Sequence, residues 1–283
     1  MAKKLEIELL YGQVGYATVS AVSGSLITIT TSEWAPGIWA GAENMPLEIR
    51  NAAGSSSRGN FVVQSVDMDA RTVTLSTSGS AAGVIATDVI WHGGAYGNEF
   101  PGIHKILTQS SGTLFNIDVG AYNLFKGNQY SAGSAALSFT KLTLAAARAV
   151  EKGLDSRLLA LVNPRGWANM MNDQAALRRY DGSYDKSKME NGSKGILFHS
   201  QNGDIEIEPS IYVKEGYAYL LDLECWYRVG STDMTFKRPG QGEEFFRDLE
   251  NSAAYELRLY SDQAVFCHAP GRNVLVQDIV NAS

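Results

Sequence analysis

Cysteine is scarce in this chain: 283 residues contain two, and two thiols cannot build a disulfide scaffold. There is no Cys-x-x-Cys pair. The four histidines, His92, His104, His199 and His268, never fall within one helical turn of each other, so no metal-ligand spacing exists. Charge is sparse too. Only 19% of residues are charged, the net charge is -6 and the pI is about 5.3. That balance does not suit a protein that grips nucleic acid through bulk positive charge. No apolar run approaches the ~20 residues that a membrane helix needs. The opening MAKKLEIELL has two lysines but no apolar core followed by a cleavage site, and does not read as a signal peptide. A Walker loop, a dinucleotide fingerprint, a Gly-x-Ser-x-Gly elbow and an internal repeat are all missing.

What is present is a chain that is 45% hydrophobic with 28 glycines. At roughly 150 residues per domain its length suggests about two domains. The composition changes near residue 110. Before it, apolar and polar residues alternate between Gly, Ser and Asn breaks, without a 3.6-residue period. Leu26 to Thr31 and Leu47 to Arg50 read as strands. Asn60 to Ser76 reads as a hairpin turning at Asp67-Met68-Asp69-Ala70, and Val84 to Trp91 as a last strand before Gly93-Gly94. Such spacing predicts a small barrel or sandwich. The Gly/Ser patches at Gly54 to Gly59 and Ser78 to Gly83 read as loop tips.

After residue 110 the pattern is mixed. Ser138 to Lys152 carries a helical stripe of Leu142, Ala145, Ala146, Ala149 and Val150, with Gly153 at the cap position. Leu158 to Val162 is a buried-strand candidate, and Asn163-Pro164 starts a second helix. Asp181 to Gly195 reads as a long exposed loop. Ser210 to Lys214 and Tyr217 to Leu221 are expected to pair across a two-residue turn, Glu215-Gly216. Ala254 to His268 reads as a long strand, and Asn273 to Ile279 as the final one. This mixture predicts an α+β fold.

Three weak nucleophile patterns occur. Trp91-His92-Gly93-Gly94 matches the oxyanion loop of some esterases, but a strand ending in a Gly turn explains it equally. Ser138-x-x-Lys141 matches an acyl-enzyme motif and also a helix cap. Cys267 and His268 are adjacent, so on a strand they point to opposite faces and form no thiolate pair. Cys225 and Cys267 are therefore expected to be buried thiols. Asp204, Glu206 and Glu208 alternate with Ile205 and Ile207, which puts all three acids on one strand face. Such acids suit glycoside hydrolysis or a hard cation, and equally a solvated face. Arg178, Arg179, Lys186 and Lys188 form a basic cluster diluted by nearby acids, more like a protein–protein rim than a phosphate groove.

The ordered set of elements resembles the major capsid proteins of tailed bacteriophages, whose shell fold is shared with encapsulins. Phe139 to Gly153 looks like the long helix of the axial domain. Leu159 to Trp167 resembles the strand-Asn-Pro-x-x-Trp step into the next helix, and Asp173 to Asp181 continues it. Glu206 to Gly216 looks like the family's hairpin, followed by Arg228 to Ser231 and Met234 to Phe236. Ala254 to Ala264 looks like the long peripheral-domain strand. Tyr11 to Gly15 and the strands to Trp91 look like a β-rich insertion found in one subgroup. Only about ten residues precede Tyr11, too few for the family's N-terminal arm, extended loop and spine helix. Residues 1–15, with Leu5, Leu9 and Leu10, then stand as a stub of that helix, and the chain reads as shortened or truncated.

The resemblance implies three parts: the stub, a β-rich, small-barrel-like insertion over 16–110, and an axial-plus-peripheral core over 111–283. It implies a structural protein, not an enzyme, with no cofactor and no metal. Such a chain self-associates into pentamers and hexamers of an icosahedral shell around DNA. It implies scaffolding, portal or decoration partners, non-specific contact with packaged DNA and no membrane. Its place would be the virion, after the cytoplasm of a bacterial host. The subunit contacts are expected at Arg178, Arg179, Tyr184, Lys186 and Lys188, and at Glu243, Glu244 and Arg247. Two rival readings are a hydrolase using Asp204, Glu206 or Glu208, and a carbohydrate-binding β module using Trp34, Trp39 or Trp91.

Overall fold

The structure is a computed structural model that describes residues 2–171, 196–200, 203–237, 246–249 and 253–281. It opens with a helix, α1 (Ala2–Tyr11), whose inner side buries Ile7, Leu10 and Tyr11. Six strands follow: β1 (Ala17–Ser23), β2 (Leu26–Ile29), β3 (Pro46–Arg50), β4 (Ser57–Asp67), β5 (Thr72–Leu75) and β6 (Val89–His92). A single helical turn, α2 (Pro36–Trp39), lies between β2 and β3. The strands close into a barrel in the order β1-β2-β5-β4-β3-β6.

Period-two alternation drives this closure. Ile27, Ile29, Leu47, Ile49, Phe61, Val63, Val73, Leu75 and Ile90 all point inward and are buried. The eleven-residue β4 pairs with β3 through its first half and with β5 through its second, with register shifts at Ile49/Arg50 and Val63/Ser65. Such irregularities bend a strand and help a short sheet to curl shut. The turn after β4 is held by Asp67 Oδ1, which accepts from the amides of Asp69 and Ala70 at 3.0 and 2.9 Å. The closed barrel, from Ala17 to His92, is one of the two forms, barrel or sandwich, that the alternation predicts. Its last strand is shorter than expected, because Ile85 to Asp88 make a turn closed by Asp88 Oδ2 on the Ile85 amide.

Helix α3 (Ile103–Thr108), a small hairpin of β7 (Thr113–Leu114) and β8 (Ile117–Asp118), and β9 (Asn128–Ala135) lead into the second body. There, α4 (Phe139–Val150) precedes β10 (Leu158–Val162), α5 (Pro164–Met171), β11 (Ile196–Ser200), β12 (Gly203–Pro209) and β13 (Ala218–Leu221). With β18 (Val274–Ile279) and β9 they form a mixed six-stranded sheet, ordered β11-β12-β10-β13-β18-β9. Both expected helix starts are present. Ser138 Oγ accepts from the Lys141 amide, so Ser138-x-x-Lys141 is a cap. Asn163 Oδ1 accepts from the Arg165 amide at 2.9 Å, with Pro164 opening the helix.

Helix α4 lays Phe139, Leu142, Ala145, Ala146 and Ala149 on one face of the sheet, against Leu158, Ala160, Val162, Leu220, Val274 and Val276. Tyr219, Leu221 and Leu275 point the other way, into the core shared with α1 and the barrel. Strand β13 is buried at every position, which explains its unbroken apolar pattern.

Two further pairs stand apart from that sheet. Among the described residues, strand β14 (Trp226–Thr235) pairs only with β17 (Tyr260–Cys267), and β15 (Phe246–Asp248) only with β16 (Tyr255–Leu257). The expected long strand from Ala254 to His268 is broken at Arg258-Leu259 into β16 and β17.

One expected hairpin does not exist. Residues 210–216 form turns rather than a strand. Their backbone bonds to the segment around α2: the Gly37 amide donates to Ile211 O, Glu215 N to Trp34 O and Gly216 N to Ser32 O. The apolar-polar alternation of Ser210 to Lys214 mimics a strand, but the charges at its end are buried rather than exposed at a hairpin tip. Helix α1 lies within residues 1–15, where the resemblance implies a helix stub. Helices α2 and α3 run against the helix-free expectation for this part; they are four and six residues long, too short to show a period.

Candidate functional site

The expected catalytic and ligand patterns resolve into structure. Trp34 and Trp39 are 2% and 0% exposed and stack at 6.0 Å between ring centres, and Trp91 is 7% exposed against the edge of Tyr96. The three tryptophans fill the core, so they form no carbohydrate platform; their large apolar rings gain more from burial than from display. Gly93 closes β6 by donating to Pro46 O, and His92 Nδ1 contacts Gly93 O. Asp204, Glu206 and Glu208 do share one face of β12, with Ile205 and Ile207 in the core behind them.

Cys225 and Cys267 are fully buried free thiols at the root of β14–β17, in a small core with Ile106, Leu114 and Val265. Burial pushes both thiols up to about 12, with Asp222 adding to the effect, so neither is a poised nucleophile. His268, next to Cys267, is exposed and faces Tyr227.

A buried polar junction ties the two bodies together, and no sequence pattern pointed to it. Lys214 is 1% exposed, and its Nζ lies 2.5 Å from Glu33 Oε2 and 3.3 Å from Gly15 O, above the Tyr11 ring. Tyr217 donates to Glu33 Oε1 at 2.8 Å. Burial alone would raise the Glu33 carboxyl, but Lys214 and these hydrogen bonds hold it below the ordinary value. Next to this pair His104 meets the Tyr219 hydroxyl at 2.9 Å. Burial, reinforced by Lys214, pushes its imidazole down to about 3. Tyr11 completes the set, accepting from the Lys214 amide and donating to Tyr212 O. On the other side of the same turn Glu215 takes Arg71 at 3.1 Å and Arg165 at 3.5 Å, from the barrel and from α5 respectively. The adjacent Lys214-Glu215 was the available signal, since charges of opposite sign at one turn can each anchor a different body. Burial and full pairing make this a fastening rather than a reaction centre.

Exposed apolar side chains gather on the two ribbons, while others such as Tyr122, Leu124 and Leu144 are exposed elsewhere. Register places Phe246, Leu257 and Tyr255 on one face of β15–β16, exposed at 64%, 51% and 73%. The Phe246 and Tyr255 rings meet at 6.2 Å. Arg247 and Glu256 are register partners between them. On β14–β17 Tyr227 and Val229 are exposed on one strand, with Met234 and Phe236 further along. Of the residues expected at subunit contacts, only Arg247 is on a described element. Arg178, Arg179, Tyr184, Lys186, Lys188, Glu243 and Glu244 lie outside the described residues, as does the 181–195 loop.

No protein-family model matches the chain, and no curated protein matches it. Solved structures do. The chain is similar to the cyanophage A-1(L) capsid asymmetric unit, with 13% identity, a TM-score of 0.44, and coverage of 65% of this chain and 61% of that one. It is also similar to the holo-SrpI encapsulin complex from Synechococcus elongatus, with 11% identity, a TM-score of 0.36, and coverage of 62% and 59%. The chain therefore spans about three fifths of each neighbour's length. These are the same two kinds of protein that the sequence resembles. The likeness is one of chain path alone.

Proposed function

We propose that this chain is a shell-forming structural protein that acts by associating with copies of itself. The observation that carries the reading is the apolar face of the β15–β16 ribbon, which stands exposed among the described residues, together with the exposed side chains of the β14–β17 ribbon; both pairs lie outside the barrel and the six-stranded sheet. An isolated two-stranded pair is marginal in water and gains stability when a further surface covers it. The polar patterns elsewhere serve as caps, turns and ion pairs.

In its fuller form the proposal is a phage-type major capsid protein, forming pentamers and hexamers of an icosahedral shell around DNA. Residues 1–15 are then a helix stub, 16–110 the insertion, and 111–283 the axial and peripheral core. Scaffolding, portal or decoration proteins are its further partners, DNA is touched without sequence preference, and the virion is its location after a bacterial cytoplasm. The sequence resemblance motivates these finer statements.

Light scattering and negative-stain microscopy of the purified chain test the proposal. Rings or shells are expected from the wild type, and a monomer of unchanged fold from Phe246→Ser/Leu257→Ser. A wild type that stays monomeric at high concentration overturns the reading. So does glycoside or ester turnover that is lost in Glu206→Ala.

A further inference from the structure

The turn that leads into β9 carries a second exposed apolar spot, and this one is set among cations. Tyr122 and Leu124 are 62% and 67% exposed, while the next residue, Phe125, packs against the small core of Cys225 and Cys267. The base of the turn is braced. A Cβ on Gly271 would fall 2.5 Å from Leu124 O and 3.1 Å from Lys152 Cδ, so this turn, the end of α4 and residues 270–272 meet at one point. A surface held this way loses little freedom when something binds to it.

Positive side chains crowd the same corner. Lys152 Nζ donates to Lys126 O at 2.8 Å, which brings two lysines together. Partial burial, with the Lys126 charge beside it, holds the Lys152 ammonium below its ordinary value. Arg148 reaches across to Gln129 O, and Arg272 follows Gly271. The acids of the corner are the exposed Glu151 and Asp155, and Asp155 is paired with Arg272 at 2.8 Å. Four cations against two acids leave the corner positive on a chain whose net charge is -6.

The β15–β16 ribbon has the opposite character. Glu243-Glu244-Phe245-Phe246-Arg247-Asp248-Leu249-Glu250 sets four acids against one arginine. Phe246 and Leu249 of this run are exposed, as are Tyr255 and Leu257 across the ribbon. Corner and ribbon are both open in one chain, so they do not cover each other within it.

We propose that the Tyr122–Leu124 corner of one copy receives the acidic, apolar β15–β16 ribbon of the next. The inference rests on the shell-forming reading above and gives it a direction. The contact joins two different surfaces, so copies add head to tail, into a ring or an open row. Apolar contact supplies the attraction, and the opposite charges select the partner and its register.

Mixing two disabled variants tests this. Leu124→Ser/Lys126→Glu spoils the corner, and Phe246→Ser/Leu257→Ser spoils the ribbon; each leaves the other surface intact. By light scattering the wild type is expected to assemble, and each variant alone to associate at least about tenfold more weakly. An equimolar mixture of the two is expected to form pairs of chains and nothing larger, through the one good corner and the one good ribbon. A corner variant that assembles like the wild type, or a mixture that stays monomeric, overturns the proposal and leaves the shell-forming reading standing. A monomeric wild type overturns both. Duplex DNA is the rival occupant of a basic corner: if the wild type binds it, and Leu124→Ser/Lys126→Glu loses that binding while assembling normally, the proposal falls. If circular dichroism finds either double variant unfolded, Leu124→Ser and Phe246→Ser take their places in the same mixture.

Discussion

The barrel and the ribbons are both antiparallel β structure with alternating patterns, yet they end in opposite states. In the barrel every strand has two neighbours, and its inward set is sealed. Its exposed apolar side chains, Leu26, Val62, Met68 and Ile85, come from separate strands and turns. In the ribbons each strand has one neighbour among the described residues, and apolar side chains gather on an exposed face. Alternation predicts that a strand has an inner face. It does not say whether the cover belongs to the same chain. That difference supports reading the barrel as a finished unit and the ribbons as halves of contacts.

The most severe way to probe the contrast is to remove one charge from the junction that fastens the barrel and one from a ribbon. Lys214→Met leaves the largely buried Glu33 carboxylate without its counter-charge, held by the Tyr217 hydroxyl alone, and should cost about 3 kcal/mol in urea unfolding. Arg228→Ala breaks the exposed contact with Asp233 at 2.9 Å and should leave the midpoint unchanged. Equal losses would erase the distinction. Apolar truncation comes next. Ile49→Ala inside the barrel should cost about 2–5 kcal/mol. Leu257→Ala on the ribbon should change unfolding by under about 0.5 kcal/mol, while weakening self-association seen by light scattering.

A third effect is graded by pH. The native state refuses a proton at His104 down to about 3, whereas the unfolded chain accepts one near 6.5. Stability should therefore fall as pH drops from about 6.5, by up to roughly 1.4 kcal/mol per unit. Glu33, held low in the fold, adds a loss of the same sign further into acid. His104→Gln should flatten the upper part of the profile. The smallest effect concerns thiols. Cys225 and Cys267, buried at the ribbon root, should resist a maleimide at pH ~8 until urea is added. Prompt labelling of the native chain would mean that the root opens with the ribbon.

Much of the fold was legible in local pattern, and the reasons are physical. Leu47 to Arg50 and Asn60 to Ser76 alternate because one side of a barrel strand is wet and the other dry. Ser138 and Asn163 mark helix starts because their side chains satisfy amides that a helix leaves free. The buried junction was not legible. Glu33 and Lys214 are 181 positions apart, and a charged residue beside a glycine looks like a hairpin tip whether or not another body covers it. The ribbon surface was half legible. The strand from Ala254 was foreseen, but the break at Arg258 and the choice of bare face depend on pairings across the chain. The tryptophans misled because an aromatic that suits a sugar platform suits a core equally well.

One feature of the sheet sets a timetable. Strand β18 lies between β13 and β9, pairing antiparallel with the first and parallel with the second. Strand β9, made some 140 residues earlier, has no other neighbour in that sheet. During synthesis the barrel strands are all present once residue 92 has left the ribosome, so the barrel has its partners early. The second body must keep the place between β13 and β9, and part of the apolar face of α4, waiting until residues 274–279 arrive. The sheet is therefore closed by its last-made strand, and β9 stays exposed to wrong pairings for about half of the chain's making.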